Sequence, residues 1–384
     1  MSKTDKGKKY YDYSLAVIIL FLAVFGIVMI YSSSSYTAQL TTGDPGYYAK
    51  RQAAIAGAGF ICMILISLVD YHIWLKFAPY AYIASLVLCF LTLFIGKEIN
   101  GRKRWIEIGP VQFQPSELTK IAVILLFAVL IVKLGKLMHK WKGLLICAVF
   151  VLPAFVLVGA ANLSAAIIIA AIPFVMAFVV SDKNWIFLLI AGLLVILILF
   201  ANQIIEPVAK MLNDVGLLKP YQLSRILVWL EPEAHPLDGG YQVLQGLYAV
   251  GSGGLMGKGL GESIQKLGFV PEAQNDMIFS IICEELGLIG AISVILLFAF
   301  MIFRFFIIAN SAPDSKGTLL VTGVMTHIAL QVILNIAVVC NVIPNTGITL
   351  PFISYGGTSV FLLMIEMGLV LSVSHQIRLD KYTV

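Results

Sequence analysis

Charged residues are scarce in this chain: Asp, Glu, Lys and Arg make up 12% of its 384 residues, while 60% are hydrophobic. Water-soluble domains carry roughly 25% charged residues, and a chain with mean hydropathy +0.95 cannot hide its apolar surface in water. Cysteine is also sparse. Cys62, Cys89, Cys147, Cys283 and Cys340 fall in or at the edges of apolar runs without a CxxC pair, so neither a disulfide framework nor a zinc site has support. The five histidines are scattered, and HExxH and GxSxG are absent, which argues against zinc or serine hydrolysis. Gly257-Lys258 lacks both the upstream glycine and the following Ser or Thr of a Walker A loop, and GxGxxG spacing fails too, so no nucleotide site is indicated.

What the chain has is long apolar runs, at about 14–32, 52–69, 77–95, 117–133, 143–158, 163–180, 185–203, 277–303, 318–340 and 359–376. About 20 residues cross the roughly 30 Å of bilayer hydrocarbon as a helix. Lipid tolerates no unpaired backbone polar groups, and these runs are longer than barrel strands and lack their alternation. The expected fold is therefore all-α, a polytopic membrane protein with about ten transmembrane helices in one domain over 1–384. The basic lead Lys3, Lys6, Lys8 and Lys9 resembles a signal peptide, but the first run is too long and has no clear small-x-small cleavage site, so an uncleaved first helix is expected.

With ten spans the termini share a side. That side also holds Lys76, then Lys133, Lys136, Lys140 and Lys142, then Lys183, then Arg304 and Lys316, and finally Arg378 and Lys381. By the positive-inside rule this is the cytoplasm. Two outer segments break the rule: Gly96–Ser116, with Lys97, Arg102, Lys103 and Arg104, and the long loop 202–275 between spans 7 and 8, with Lys210, Lys219, Arg225, Lys258 and Lys266. Retained outer positive charge suggests an anionic partner there. The alternative is pairing with Glu98, Glu107, Glu206, Glu231, Glu233 and Asp238.

A loop as long as 202–275 in a compact protein carries function or disorder, and its composition argues against disorder. "YQVLQGLYAV", 241–250, is apolar-periodic and could lie as an interfacial helix. The glycine cluster Gly251, Gly253, Gly254, Gly257, Gly259 and Gly261 permits turns and close backbone approach. The loop ends in "PEAQNDMIFSIICEELGLIG", which sets Asp276 at the seam with the eighth span and Glu284 and Glu285 about two turns deeper. Acids in a membrane helix are costly enough to need a reason. Asp276 can be read as a helix cap or as a chemical group. Glu284, Glu285 and Glu366 read as partners of polar groups on neighbouring helices. Glu117 and Lys120, three apart, share a helix face and could pair. In "NVIPNTGITLPFISYGGTS", prolines and glycines enforce irregular backbone at the boundary, tolerated only where it is buried or lines a cavity.

Three blocks, "NGRKRWIEIGPVQFQPSELTK" at 100–120, "GGYQVLQGLYAVGSGGLMGKGLGESIQKLGFVPEAQNDMIFSIICEELGLIG" at 239–290 and "PNTGITLPFISYGGTS" at 344–359, resemble the SEDS family of FtsW, RodA and SpoVE, nearest its FtsW/SpoVE branch. The resemblance covers essentially the whole chain. It implies polymerisation of peptidoglycan strands from lipid II at the outer face of a bacterial cytoplasmic membrane, in cell division or cell shape. The family motif PE-x-x-TDFIFA carries an essential aspartate, and "PEAQNDMIFS" passes that role to Asp276. The "RW" and "QPSE-x-x-K" pieces place Arg104, Trp105, Glu117 and Lys120 beside the same cavity. Asn275 and Met277 depart from the motif, and "GAANLSAA" at 159–166 stands where many members have a PDLGTA-like block.

A polyprenyl-linked sugar needs an apolar groove for its tail, cations for its pyrophosphate and a carboxylate beside its sugars. The candidate base is Asp276. The candidate substrate-binding residues are Arg104, Trp105, Glu117, Lys120, Arg225, Gln242, Lys258, Lys266 and Ser354. Trp105 could equally be an interfacial belt residue, and Arg225 and Lys258 could be solvated. A divalent cation could share the work on the pyrophosphate, although no dedicated cage appears. The resemblance also implies a class B penicillin-binding transpeptidase and other division or elongation proteins as partners, with no nucleic acid. A lipid II flippase and a non-catalytic scaffold of the wall-synthesis complex are the competing readings. A transporter should show a repeat with matched broken helices, which is not evident.

Overall fold

The computed structural model describes residues 8–99, 102–109, 111–199, 211 and 220–379. Ten helices correspond to the ten expected spans: α1 (Tyr13–Thr42), α2 (Tyr47–Leu68), α4 (Ala78–Ile95), α5 (Pro115–Leu134), α6 (Trp141–Gly159), α7 (Leu163–Val180), α8 (Asn184–Leu199), α11 (Ile278–Ser311), α12 (Ser315–Val339) and α13 (Thr358–Gln376). Nine of them, α8 excepted, are long and apolar enough by themselves to cross a membrane. The seventh expected span, 185–203, runs past α8 into residues outside those described. Shorter helices α3 (Tyr71–Lys76), α9 (Pro220–Leu230) and α10 (Tyr241–Ser252) fill the connections.

Local signals set several helix ends. Asp12, Asn162 and Asp314 cap α1, α7 and α12 by accepting from Leu15 N, Ala165 N and Gly317 N. Helix α1 ends on Gly43, whose φ of 74° suits a residue without Cβ. It runs ten residues past its expected end at 32. The serines of "YSSSSY" do not break it, because their hydroxyls bond within the helix, Ser34 to Ile30 O at 2.6 Å, or across it, Ser32 to Glu285 at 2.6 Å.

The termini meet. Strand β1 (Lys8–Lys9) pairs antiparallel with β5 (Arg378–Leu379), and Arg304 at the far end of α11 binds Asp12 at 2.7 Å. The all-α expectation needs one amendment: the 97–113 segment is a three-stranded antiparallel sheet, β2 (Lys97–Ile99), β3 (Arg102–Ile108) and β4 (Val111–Phe113), in the order β2-β3-β4. Its local signal is short, the aromatic and β-branched run "WIEI" in which Ile106 and Ile108 flank Glu107.

Helix α11 is broken at Gly287 (φ 66°, ψ −166°), and the glycine cluster repairs the break. Lys258 N and Gly259 N donate to the freed carbonyls of Glu284 and Glu285 at 2.9 and 3.0 Å, while Leu288 N donates to Gly254 O at 2.9 Å. A Cβ at Gly253, Gly257 or Gly287 would collide with the opposing backbone. The glycines therefore serve close approach of loop to helix, which lets an interrupted helix keep its polar groups satisfied. Helix α10 does not simply lie in the interface: Val243, Gly246 and Ala249 are buried, and Gly246 lies against the Met277 side chain at the head of α11.

Candidate active site

A cavity of about 600 Å³ opens at the end of the bundle remote from the paired termini. Its lining comes from β3, from the heads of α5, α7 and α13, from α9 and α10, from the turn before α11 and from the irregular segment before α13. Arg104 and Trp105 of β3, Glu117 and Lys120 of α5, Arg225 of α9, Gln242 of α10 and Asp276 all face it. Seven of the ten residues singled out in the sequence are thus brought together.

Asp276 is not a cap. Helix α11 starts at Ile278, its N-cap is Met277, and no side chain bonds its first turn. The Asp276 Oδ1 atom is shielded from solvent and accepts no hydrogen bond. Burial, with a smaller push from Glu272, raises its carboxyl to a pKa of about 6, against the pull of Arg225. Its backbone is held firmly, since Asn335 Nδ2 donates to Asp276 O and to Ile348 O, both at 2.8 Å.

Charges of both signs line the cavity with it. Lys120 Nζ lies 2.9 Å from Glu117, as their spacing predicts, and both are buried. Ser359 donates to the other Glu117 oxygen at 2.9 Å, and Lys120 also approaches Gln331 Oε1 at 3.5 Å. Arg104 Nε donates to Ala161 O at 2.8 Å, leaving its buried Nη2 without a partner. Arg225 donates to Asn345 O at 2.8 Å. The guanidinium of Arg51 joins the lining. Among the described residues no three His, Cys, Asp or Glu side chains cluster to hold a metal.

Lys258, Lys266 and Ser354 do not line the cavity. Lys258 binds Glu284 at 2.6 Å, and Lys266 binds Glu285 at 2.8 Å and Ser32 at 3.0 Å. Ser263 and the backbone of Ile264 and Gln265 also donate to Glu284. The two deep acids thus draw their cations from the loop rather than from neighbouring helices. Two buried carboxylates beside a helix break attract the nearest ammonium groups, so these lysines are drawn inward. Ser354 is buried with its Oγ accepting from Leu350 N at 2.7 Å, which fixes the irregular segment one residue before Tyr355 reaches the cavity. Lys210 and Lys219 lie outside the described residues.

Sequence reading missed Arg51, Asn162, Gln331 and Asn345 as cavity residues, and Asn335 as the anchor of Asp276. A signal existed for two of them: Gln331 and Asn335 are amides four apart in an apolar run, hence on one helix face.

Over residues 13–379 the chain matches the cell cycle protein family of FtsW, RodA and SpoVE, and it belongs to that family. It is 37% identical to stage V sporulation protein E of Bacillus subtilis (strain 168), over 96% of this chain and 98% of that one. It is 35% identical to the probable peptidoglycan glycosyltransferase FtsW of Trichlorobacter lovleyi, over 97% and 95%. Among solved structures, one described as the structural coordination of polymerization and crosslinking by a peptidoglycan synthase complex superposes with a TM-score of 0.76 at 30% identity, covering 96% of this chain and 99% of that one. The rod shape determining protein RodA of Thermus thermophilus superposes at 0.65 with 25% identity, covering 96% and 98%.

Proposed function

We propose that this multi-pass membrane protein is a peptidoglycan glycosyltransferase that joins lipid II units into glycan strands, with Asp276 as its general base. The observation that carries this reading is the Asp276 carboxylate, whose buried Oδ1 has no hydrogen-bond partner, facing a cavity that also holds Arg104, Lys120 and Arg225. A carboxyl with a pKa of about 6 is mostly ionised at neutral pH, yet a better proton acceptor than an ordinary aspartate. The acceptor sugar's O–H bond breaks, its proton passes to Asp276, and its oxygen attacks the donor's anomeric carbon. The bond from that carbon to the pyrophosphate oxygen breaks, and the electron pair leaves with the pyrophosphate. Arg104, with an unused buried N–H group, and Lys120 stand where positive charge would offset that departure.

The cavity then faces the outside of a bacterial cytoplasmic membrane, with both termini in the cytoplasm. The loop lysines on the termini side support this through the positive-inside rule. A class B penicillin-binding transpeptidase is the proposed partner, packing laterally against lipid-facing helix surfaces. The synthase complex that this fold resembles supports that pairing.

Purified protein, alone and with a candidate transpeptidase, supplied with lipid II should form glycan strands. An Asp276→Asn variant should bind lipid II but not polymerise it. A fully active variant would overturn the assignment of the base, and an inactive wild type, with and without the partner, would overturn the reaction.

A further inference from the structure

The irregular segment before α13 is strained, and a side chain outside the cavity helps to hold it. Phe352 has φ 64°, a backbone conformation that a bulky residue adopts only where its surroundings enforce it. It is buried, and Gly26 of α1 lies so close behind it that a Cβ there would meet Phe352 O at 2.6 Å. The chain on either side of Phe352, at 347–349 and from Tyr355 onward, lines the cavity. A strained stretch in a cavity wall keeps its shape only when it is tied at several points.

Two ties come from Asn335, which holds Ile348 O, and from the Ser354 hydroxyl, which accepts from Leu350 N. The third comes from α2, which packs along α13. Its Gln52 is 1% exposed, and the side-chain amide straddles Tyr355: Nε2 donates to Ser354 O at 3.2 Å, and Gly356 N makes a longer contact to Oε1 at 3.5 Å. Tyr355 N in turn donates to Gln274 O at 2.8 Å, two residues ahead of Asp276. Ser354 O and Tyr355 N belong to one planar peptide unit, so holding the oxygen fixes where the N–H points. Accepting at the oxygen also strengthens the bond that the N–H donates. Each step from α2 to the chain before Asp276 is thus a hydrogen bond or a peptide plane.

We propose that Gln52 is a positioning residue for Asp276: by holding Ser354 O it sets the Ser354–Tyr355 peptide plane, whose N–H fixes the chain ahead of Asp276 against the cavity. Its effect on rate rests on the polymerase reading above. Asn335 holds the Asp276 carbonyl from α12, so the aspartate is fixed from two sides by two helices. Without the Gln52 amide the strained segment relaxes, Tyr355 N turns from Gln274 O, and one of those two fixed points is lost. A displacement of about 1 Å at a reacting group costs up to about 100-fold in rate. Arg51 and Ile55 of α2 line the cavity and Gln52 does not, so its loss acts on turnover rather than on binding.

The test compares wild type with Gln52→Met, which keeps the length of the side chain and removes both contacts, and with Gln52→Asn, a milder change whose shorter amide does not span both groups. Ser372→Ala is the structural control: Ser372 also ties α13 to α2, donating to Val69 O at the end of the pair remote from the cavity. Amide hydrogen exchange of the 272–277 and 348–357 segments, thermal midpoint, lipid II binding and strand formation are measured for all four proteins. Both Gln52 variants should exchange about tenfold faster than wild type in both segments. They should turn over about 10- to 100-fold more slowly at saturation while binding lipid II within about threefold of wild type. Ser372→Ala should lower the midpoint and leave turnover and exchange at 272–277 unchanged. Wild-type exchange at 272–277, or wild-type turnover, in folded Gln52 variants would overturn the proposal by leaving Gln52 a packing role. A wild type that forms no strands defeats the polymerase reading instead, and the exchange data alone then decide the positioning.

Discussion

Asp276 and the Glu284–Glu285 pair stand within ten residues of one another and resolve the problem of a boundary carboxylate in opposite ways. The glutamates are fully buried: Glu284 has Lys258, Ser263 and two backbone N–H groups around it, and Glu285 has Lys266 and Ser32. The aspartate has only cavity in front of it and an oxygen that nothing donates to. Acids that hold structure are saturated with partners, because an unpaired buried charge is strongly destabilising. On the reading proposed above, Asp276 is the acid kept for proton transfer, and its Oδ1 is left unsaturated in the cavity wall.

The largest test of this contrast is Asp276→Asn. It should lower strand formation by about 100- to 10,000-fold while leaving the thermal midpoint and lipid II binding near wild type. Replacing Lys266 by Met should do the reverse. It strands Glu285 in the bundle and should cost about 3–5 kcal/mol, read as loss of folded protein in a thermal or denaturant series. Acidification sharpens the comparison from the other side. With the Asp276 carboxyl raised to about 6, its basic form is lost as pH falls through that value, so turnover at pH 5 should be about tenfold below that at pH 7. The folded state holds that proton more tightly than the unfolded chain, so Asp276 itself favours folding less above pH 6 than below pH 4. The smallest effect belongs to Lys258→Met. This lysine is 30% exposed and shares Glu284 with Ser263 and two backbone N–H groups, so its loss should cost about 1 kcal/mol. Equal destabilisation by Lys258→Met and Lys266→Met would show that burial does not separate the two pairs.

Much of the site was legible where residues lay close in sequence. Glu117 and Lys120 pair as their spacing demands, and the seam position of Asp276 was visible as polar chain meeting an apolar run. Lys258 and Lys266 were misplaced because a lysine bound to a buried glutamate looks, in sequence, like one waiting for an anion. The glycine cluster was legible as a place of close approach, but its target, the break at Gly287, was not. That partner comes from a different element, and no local pattern encodes it.

By itself, the sequence determined the class, nine of the ten expected spans and the residues at several helix ends. In lipid a helix must satisfy its backbone within its own segment, so hydropathy and capping act locally and can be read locally. Tertiary structure alone decided which ionisable groups are spent on one another and which are left free. That choice depends on which helices pack together and how deeply each side chain is removed from water, so Asp276 faces the cavity while Glu284 and Glu285 are enclosed by the loop.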